Sequence, residues 1–418
     1  MRTAPLLAQM ATEWRLQRRR PFVWFCLVAY FVLALGDTVQ AGWSAEGGIL
    51  VNGADQIATR SIIYSLLGVL VAAGLVSEPF SRDRAHSTAG MVLTTGAGRA
   101  TLAIGRFVIA TALVMLSALL FIPGVILGSM APGIATEFVG PIVAQHYISA
   151  ASTFIIPNFL LVSAVAFAVA SRTQSQAAAY GAAVTLVSAW ITVRMMLGQD
   201  VLQHDVFATA AMLDPFGSIA SAQFSMGWTV AESNERFPPL AGLLLWNRLV
   251  WLGVSAVLMV VGVAGFPMRE RLTRAKSAGR RGRSGSAGSR VSVGWLGPLG
   301  TMTAWELRTI RRTPGAMLVL LLLAFSLWWS AASAVTHRFS LPSTDLLVHN
   351  TGFYFDKILV LAVVWLSGDL IWRERAHRVD PMLDSLPTRD WQRYISKLAA
   401  LIGVVIVFWL VSIGVGVL

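Results

Sequence analysis

Nine runs of roughly 20 apolar residues dominate this chain, near 22–41, 61–80, 102–126, 151–170, 177–197, 243–266, 315–335, 352–371 and 399–418. A helix rises ~1.5 Å per residue, so ~20 such residues cross a ~30 Å hydrocarbon core. No water is present there to satisfy an open backbone, so each run is expected to be a helix. A composition of 56% hydrophobic and 13% charged residues agrees. The expected fold class is an all-α polytopic membrane protein.

The formal net charge of +12 raises nucleic acid as a partner, but the placement of the charge answers otherwise. With a cytoplasmic N-terminus, all but six of the 33 Lys and Arg residues fall on the N-terminal segment, the even-numbered turns and the 267–313 linker. The six are Arg60, Arg194, Arg236, Arg248, Arg338 and Lys357. This is the positive-inside asymmetry, and it makes the lipid bilayer, not nucleic acid, the partner of the basic surface. A usage of 30 Arg against 3 Lys suggests the coding bias of a GC-rich bacterium, hence a bacterial inner membrane.

The opening MRTAPLLAQMATEWRLQRRRP is polar and charged and lacks a small-residue cleavage site, so the first span is expected to stay in the protein. Cys26 is the sole cysteine, which excludes an intrachain disulfide or a cysteine metal cluster. Asp37, Arg194, Arg248, Asp356 and Lys357 fall near outer span ends, where snorkelling to water is easy. No charge sits at mid-span in the manner of an ion relay, which argues against a secondary transporter.

The chain also repeats itself. RDRAH at 82–86 returns as RERAH at 373–377, pairing Arg82, Asp83, Arg84 and His86 with Arg373, Glu374, Arg375 and His377, and the match over 82–91 ends by pairing Met91 with Met382. Upstream, EWRLQRRRP (13–21) matches ELRTIRRTP (306–314), pairing Glu13, Arg18, Arg19 and Pro21 with Glu306, Arg311, Arg312 and Pro314. Six spans separate the copies, and an even number returns the chain to the same side. The second copy is therefore expected to run parallel to the first.

The expected organisation is an interfacial segment 1–21, then a six-span domain 22–266 with a cytoplasmic loop 81–100 and an outer loop 198–242. A basic Gly/Ser-rich linker 267–298 follows, then a second interfacial segment 299–314 and three spans in 315–418 with a loop 372–397. Pro21 and Pro314 end the interfacial segments or turn them into spans. Short helices broken by Gly96 and Pro387 are expected after the repeated words.

This arrangement resembles the permease of a type-2 ABC exporter, which has an interfacial elbow helix, a first span, and a coupling helix between its second and third spans. SEPFSRDRAHSTAGMVLTTGAGR and GDLIWRERAHRVDPMLDSLPTRD look like its coupling loops, with Glu78 and Asp369 at matching places before the charged doublet. The Gly-Thr usual in that loop is absent from both. The stretch from 213 to 253 is similar to large bacterial permeases fused to a zinc aminopeptidase. The resemblance implies two separate ABC ATPase subunits, which carry the ATP and Mg, docking on the two loops through such doublets. It also implies that this chain is a transport subunit and not an enzyme, and makes Asp214, Pro215, Phe216, Gly217 and Trp228 a candidate outer gate.

The sequence has no G-x-x-x-x-G-K-[ST] and no H-E-x-x-H, so nucleotide hydrolysis of the P-loop kind and zincin peptidase chemistry are not expected of it. No cofactor or metal is expected within it. A membrane anchor for a peptidase or sensor module is the alternative function. The second copy has three spans where the first has six, so three further spans or a second permease chain are expected to complete it.

Overall fold

The computed structural model describes residues 3–45, 47–86, 88–94, 97–197, 207–267, 297–311, 359–360, 362–368, 370–371, 374 and 390–417. It divides into two units, Met1–Phe266 and Pro267–Leu418. Among the described residues the elements are helices and no strand occurs. Six helical segments are long and apolar enough to cross a membrane: Pro21–Trp43, Ala54–Asp83, Arg99–Ser129, Ala144–Thr173, Gly242–Gly265 and Asp390–Leu410. The chain is a multi-pass membrane protein.

In the first unit, α1 (Thr3–Gln17) leads through a short turn into α2 (Pro21–Trp43). Arg20 is extended and Pro21 opens α2, where its missing N–H would have had no helical partner anyway. The Trp24 indole donates to the Arg18 carbonyl at 2.8 Å and closes the turn. Thus the interfacial segment is a helix, and Pro21 starts the span.

The helix α3 (Ala54–Ala85) has 32 residues, about 48 Å of rise, and so outruns a ~30 Å hydrocarbon core. The sequence reading stopped this span at 80 and put the charged word in a loop. The helix instead continues through Pro79 to Ala85, because Arg82 and Asp83 find partners on neighbouring helices there. After it comes α4 (Ala89–Thr94), the short helix expected here; Gly96 lies outside the described residues.

The third span is α5 (Arg99–Leu119) followed by α6 (Phe121–Ser129), broken near Pro123, which cannot donate its N–H into the helix. Gly124 and Gly128 lie one helical turn apart and face α2. A Cβ at Gly124 would fall 2.7 Å from Ala34 Cβ, and one at Gly128 would fall 2.7 Å from Thr38 Cβ. The small residues allow backbone-close packing of α2 on α6.

The fourth span runs through α7 (Ala144–Ala150), a π turn at Ala151–Ile155 and α8 (Ile156–Thr173). Pro157 follows the π turn directly. Gln174, left-handed at φ 52°, ends α8 and sends its N–H to the Ala170 carbonyl at 2.8 Å. Next come α9 (Gln176–Leu197) at the expected fifth span, the short helices α10 (Phe207–Leu213), α11 (Ser218–Ser225) and α12 (Val230–Glu235), and α13 (Gly242–Gly265).

The spans α3 and α7–α8 are mostly buried and form the centre, whereas α2 and α13 leave broad apolar faces outward. At the end of the bundle away from the N-terminus, two asparagines join the loops. Asn52 exchanges two 2.7 Å bonds with the backbone of Gly140, and Asn234 accepts from Leu50 N and donates to the Gly48 carbonyl, each at 2.9 Å.

In the second unit, α14 (Gly297–Arg311) packs along α15 (Asp390–Val417), and residues 362–368 are helical. The expected span 315–335, residues 352–358 of the expected span 352–371 and residues 268–296 of the linker lie outside the described residues.

Candidate functional site

The repeated word sits in a charge cluster at the N-terminal end of the first unit. Arg82 on α3 reaches Glu13 on α1 with a fork of two bonds, Nη1–Oε1 and Nη2–Oε2, each 2.9 Å. Glu13 is fully buried, so this pairing is what allows its charge to be there. Glu78, one turn before Arg82, takes the guanidinium of Arg20 on Oε1. Asp83 takes that of Arg106 on α5, whose other nitrogen donates to the Pro79 carbonyl at 2.9 Å. Arg106 is 2% exposed and also lies 5.7 Å over the Phe266 ring.

Glu13, Glu78 and Asp83 thus face Arg20, Arg82 and Arg106, and the cluster is balanced in charge. It ties α1 and α5 to the end of α3. Gly105 lets α1 come in, since a Cβ there would lie 2.7 Å from Gln9 Cγ. Arg82 and Asp83 therefore bond within the chain. His86 is exposed in the turn after α3, and Met91 on α4 is 73% exposed. Arg84 belongs to α3, and its side chain lies outside the described residues.

Of the elbow residues, Arg18 and Arg19 are exposed beside Pro21, and Glu306 on α14 is 3% exposed while Arg311 is exposed. Arg312, Pro314, Asp369, Arg373, Arg375 and His377 lie outside the described residues. Glu374 does not, and it pairs with Lys397 on α15 at 2.8 Å.

The candidate gate at the other end is a buried knot. Asp214 accepts from Phe216 N at 2.9 Å, Ser218 Oγ at 2.9 Å and Ile219 N at 2.7 Å, so it caps α11. The carbonyl of Pro215 accepts from Arg248 Nη2 at 3.4 Å, and that of Phe216 from Asn158 Nδ2 at 3.3 Å. Gly217 has φ 76°, and a Cβ there would fall 2.4 Å from Arg248 Nη2. Arg248 also donates to Asn158 Oδ1 at 2.7 Å, and Asn247 Nδ2 to the carbonyls of Ala211 and Asp214 at 2.6 and 2.7 Å. Trp228 lies in the turn beyond α11, its N–H on the Ser225 carbonyl at 3.1 Å.

The sequence reading missed Asn158 and Asn247. Both sit inside apolar runs, and a single amide within such a run is the only signal they leave. It also took Arg248 for a snorkelling side chain, yet Arg248 is 3% exposed.

Beside the charge cluster a half-open cavity of about 350 Å³ lies between the start of α2, α3 and α9, lined by Gln17, Arg20, Phe22, Leu75, Glu78 and Tyr180 among others. Among the described residues no group of three or more His, Cys, Asp or Glu is placed to hold a metal ion. No protein-family model matches the chain, and no curated protein matches it.

Proposed function

We propose that this chain is the membrane-spanning subunit of an ATP-driven ABC transporter, an exporter of the bacterial inner membrane with its N-terminus in the cytoplasm. Separate ATPase subunits, carrying ATP and Mg, dock on two parallel cytoplasmic elements.

The observation that carries this reading is an ion pair that occurs twice. Asp83 pairs with Arg106, and Glu374 pairs with Lys397 at 2.8 Å. The same offset of 291 residues takes Asp83 to Glu374 and Arg106 to Lys397. It also takes the first residue of α5, Arg99, to the first residue of α15, Asp390. The helices α1 and α14 each have 15 residues, and the matched Glu13 and Glu306 are both buried. The sequence repeat chose residues 82–91 and 13–21 only, so agreement at Arg106 and Lys397 is independent of how it was found. Two like elements are what a pair of ATPases closing on ATP requires.

Within the first element, the internally paired Arg82 and Asp83 brace the fold, and the exposed His86 and Met91 offer the docking contacts. A scaffold for a peptidase or sensor module is the second reading, favoured by the internal pairing of the doublet. The two separate in one experiment. The chain is purified from its native membrane, and co-purifying ATPase and ATP hydrolysis are measured for wild type, for Met91→Asp with Met382→Asp, and for His86→Asp. Loss of the ATPase in folded variants supports docking. If no ATPase accompanies the wild-type chain, or hydrolysis ignores all variants, the transport reading is overturned.

A further inference from the structure

We propose that the cavity between the start of α2, α3 and α9 binds the headgroup of a phospholipid carrying a primary amine, of the phosphatidylethanolamine type. Two buried polar atoms in its lining have no hydrogen-bond partner in the protein: Gln17 Nε2 and Glu78 Oε2. Gln17 is 1% exposed, so water does not compensate it freely. A buried donor or acceptor left unpaired costs ~1–3 kcal/mol, which makes both atoms an offer to a ligand.

Their chemistry is complementary. Glu78 Oε1 is held by Arg20, and Arg82 Nη1 stands 3.8 Å from Oε2, beyond hydrogen-bond reach. Oε2 therefore stands at the wall of the cavity as a carboxylate oxygen without a donor, which suits an ammonium. Gln17 Nε2 presents a donor, and Arg20, with its side chain 35% exposed, presents further N–H groups, which suit a phosphate. Phe22, Val23 and Leu75 add apolar wall where the glycerol and the first acyl carbons would lie.

The location agrees. The cavity opens where α2 begins and α3 emerges, which is the headgroup level of a bilayer spanned by these helices. Arg18 and Arg19 are exposed at the same end and attract phosphate. A choline headgroup has no N–H for Glu78, and a glycerol headgroup has no cation, so the site discriminates among common lipids. None of this depends on whether the chain transports anything.

The test uses the full chain in detergent and native mass spectrometry, with dioleoyl phosphatidylethanolamine, phosphatidylcholine and phosphatidylglycerol as probes. The amine lipid is expected to be retained at least about tenfold better than either other lipid, as one added charge-assisted bond implies. Gln17→Leu leaves every ion pair of the cluster in place and is expected to reduce retention severalfold; Leu75→Trp is expected to fill the cavity and do the same. Circular dichroism verifies that both variants fold. Soluble phosphoethanolamine is expected to compete poorly, because it lacks the apolar part. Equal retention of the three lipids, wild-type retention by folded Gln17→Leu, or full competition by phosphoethanolamine would each overturn the proposal.

Discussion

Arg82 and Glu13 are joined through both guanidinium nitrogens and both carboxylate oxygens, 2.9 Å on each side, although 69 residues separate them in the chain. The bond fastens the N-terminal helix α1 to the far end of the second span. Two long side chains held in a planar fork lose less rotamer freedom per bond than a lysine would, which explains arginine at this place. Because Glu13 has no solvent exposure, the pair behaves as a buried one.

Removing one partner should therefore be worse than removing both. Glu13→Ala leaves the Arg82 charge poorly compensated and is expected to cost ~3–5 kcal/mol, whereas Glu13→Leu with Arg82→Met should recover most of that. Denaturation in mild detergent, run as a double-mutant cycle, measures the coupling. A coupling near zero would show that the pair contributes nothing.

Much of this fold was legible in the sequence, because bilayer crossing depends on length and apolar composition, and both are written in consecutive residues. The helices at 22–41, 102–126 and 243–266 follow from that alone. What the sequence hid is of a different kind. The extension of α3 past Phe80 depends on Glu13 and Arg106, neither of which is local to Arg82 or Asp83. The repeated word announced that residues 82–86 matter, but partners set by tertiary packing left no trace near it. The knot at Asp214 is similar: DPFG reads as a turn, and only the placement of Asn158, Asn247 and Arg248 buries it.

The approach of α2 to α6 yields a second expectation. Gly128→Val puts a branched side chain where even a Cβ would be 2.7 Å from Thr38 Cβ and 2.8 Å from the Leu35 carbonyl. Backbone cannot yield as a flexible side chain does, so a loss of ~1–3 kcal/mol is expected. Gly36→Ala, on the same helix α2 but with nothing within 4 Å, should be neutral or slightly stabilising. Thermal unfolding of the two variants in the same detergent gives the comparison, and equal melting temperatures would count against the close packing.

At the opposite end, Asp214 and Arg248 hold α10, α11 and α13 together through backbone carbonyls and N–H groups. Asp214→Ala strands three donors, and Arg248→Met strands the Asn158 and Asn247 amide oxygens and the Pro215 carbonyl while keeping much of the volume. Both variants are expected to speed amide exchange across 207–225 by at least about tenfold, with exchange in α5 and α8 unchanged. A uniform increase through the whole unit would show instead that the knot is part of its global stability.

The cap of α12 gives a prediction in pH. Glu232 accepts the Thr229 N–H at 3.0 Å and the Thr229 hydroxyl at 3.1 Å, while Thr229 Oγ1 accepts from Glu232 N at 3.3 Å, a reciprocal box at a helix start. These bonds favour the carboxylate and hold Glu232 below its ordinary pKa. A group depressed in the folded state contributes its stabilisation above the unfolded pKa, near 4.5, and loses it as pH falls through the lower folded value. Amide protection at residues 230–235 should accordingly be constant from neutral pH to about 5 and decline below it, after correction for intrinsic exchange. Glu232→Gln should flatten that decline, because residue 232 then has no carboxylate to protonate. A decline of the same size in Glu232→Gln would assign the pH dependence to another carboxylate.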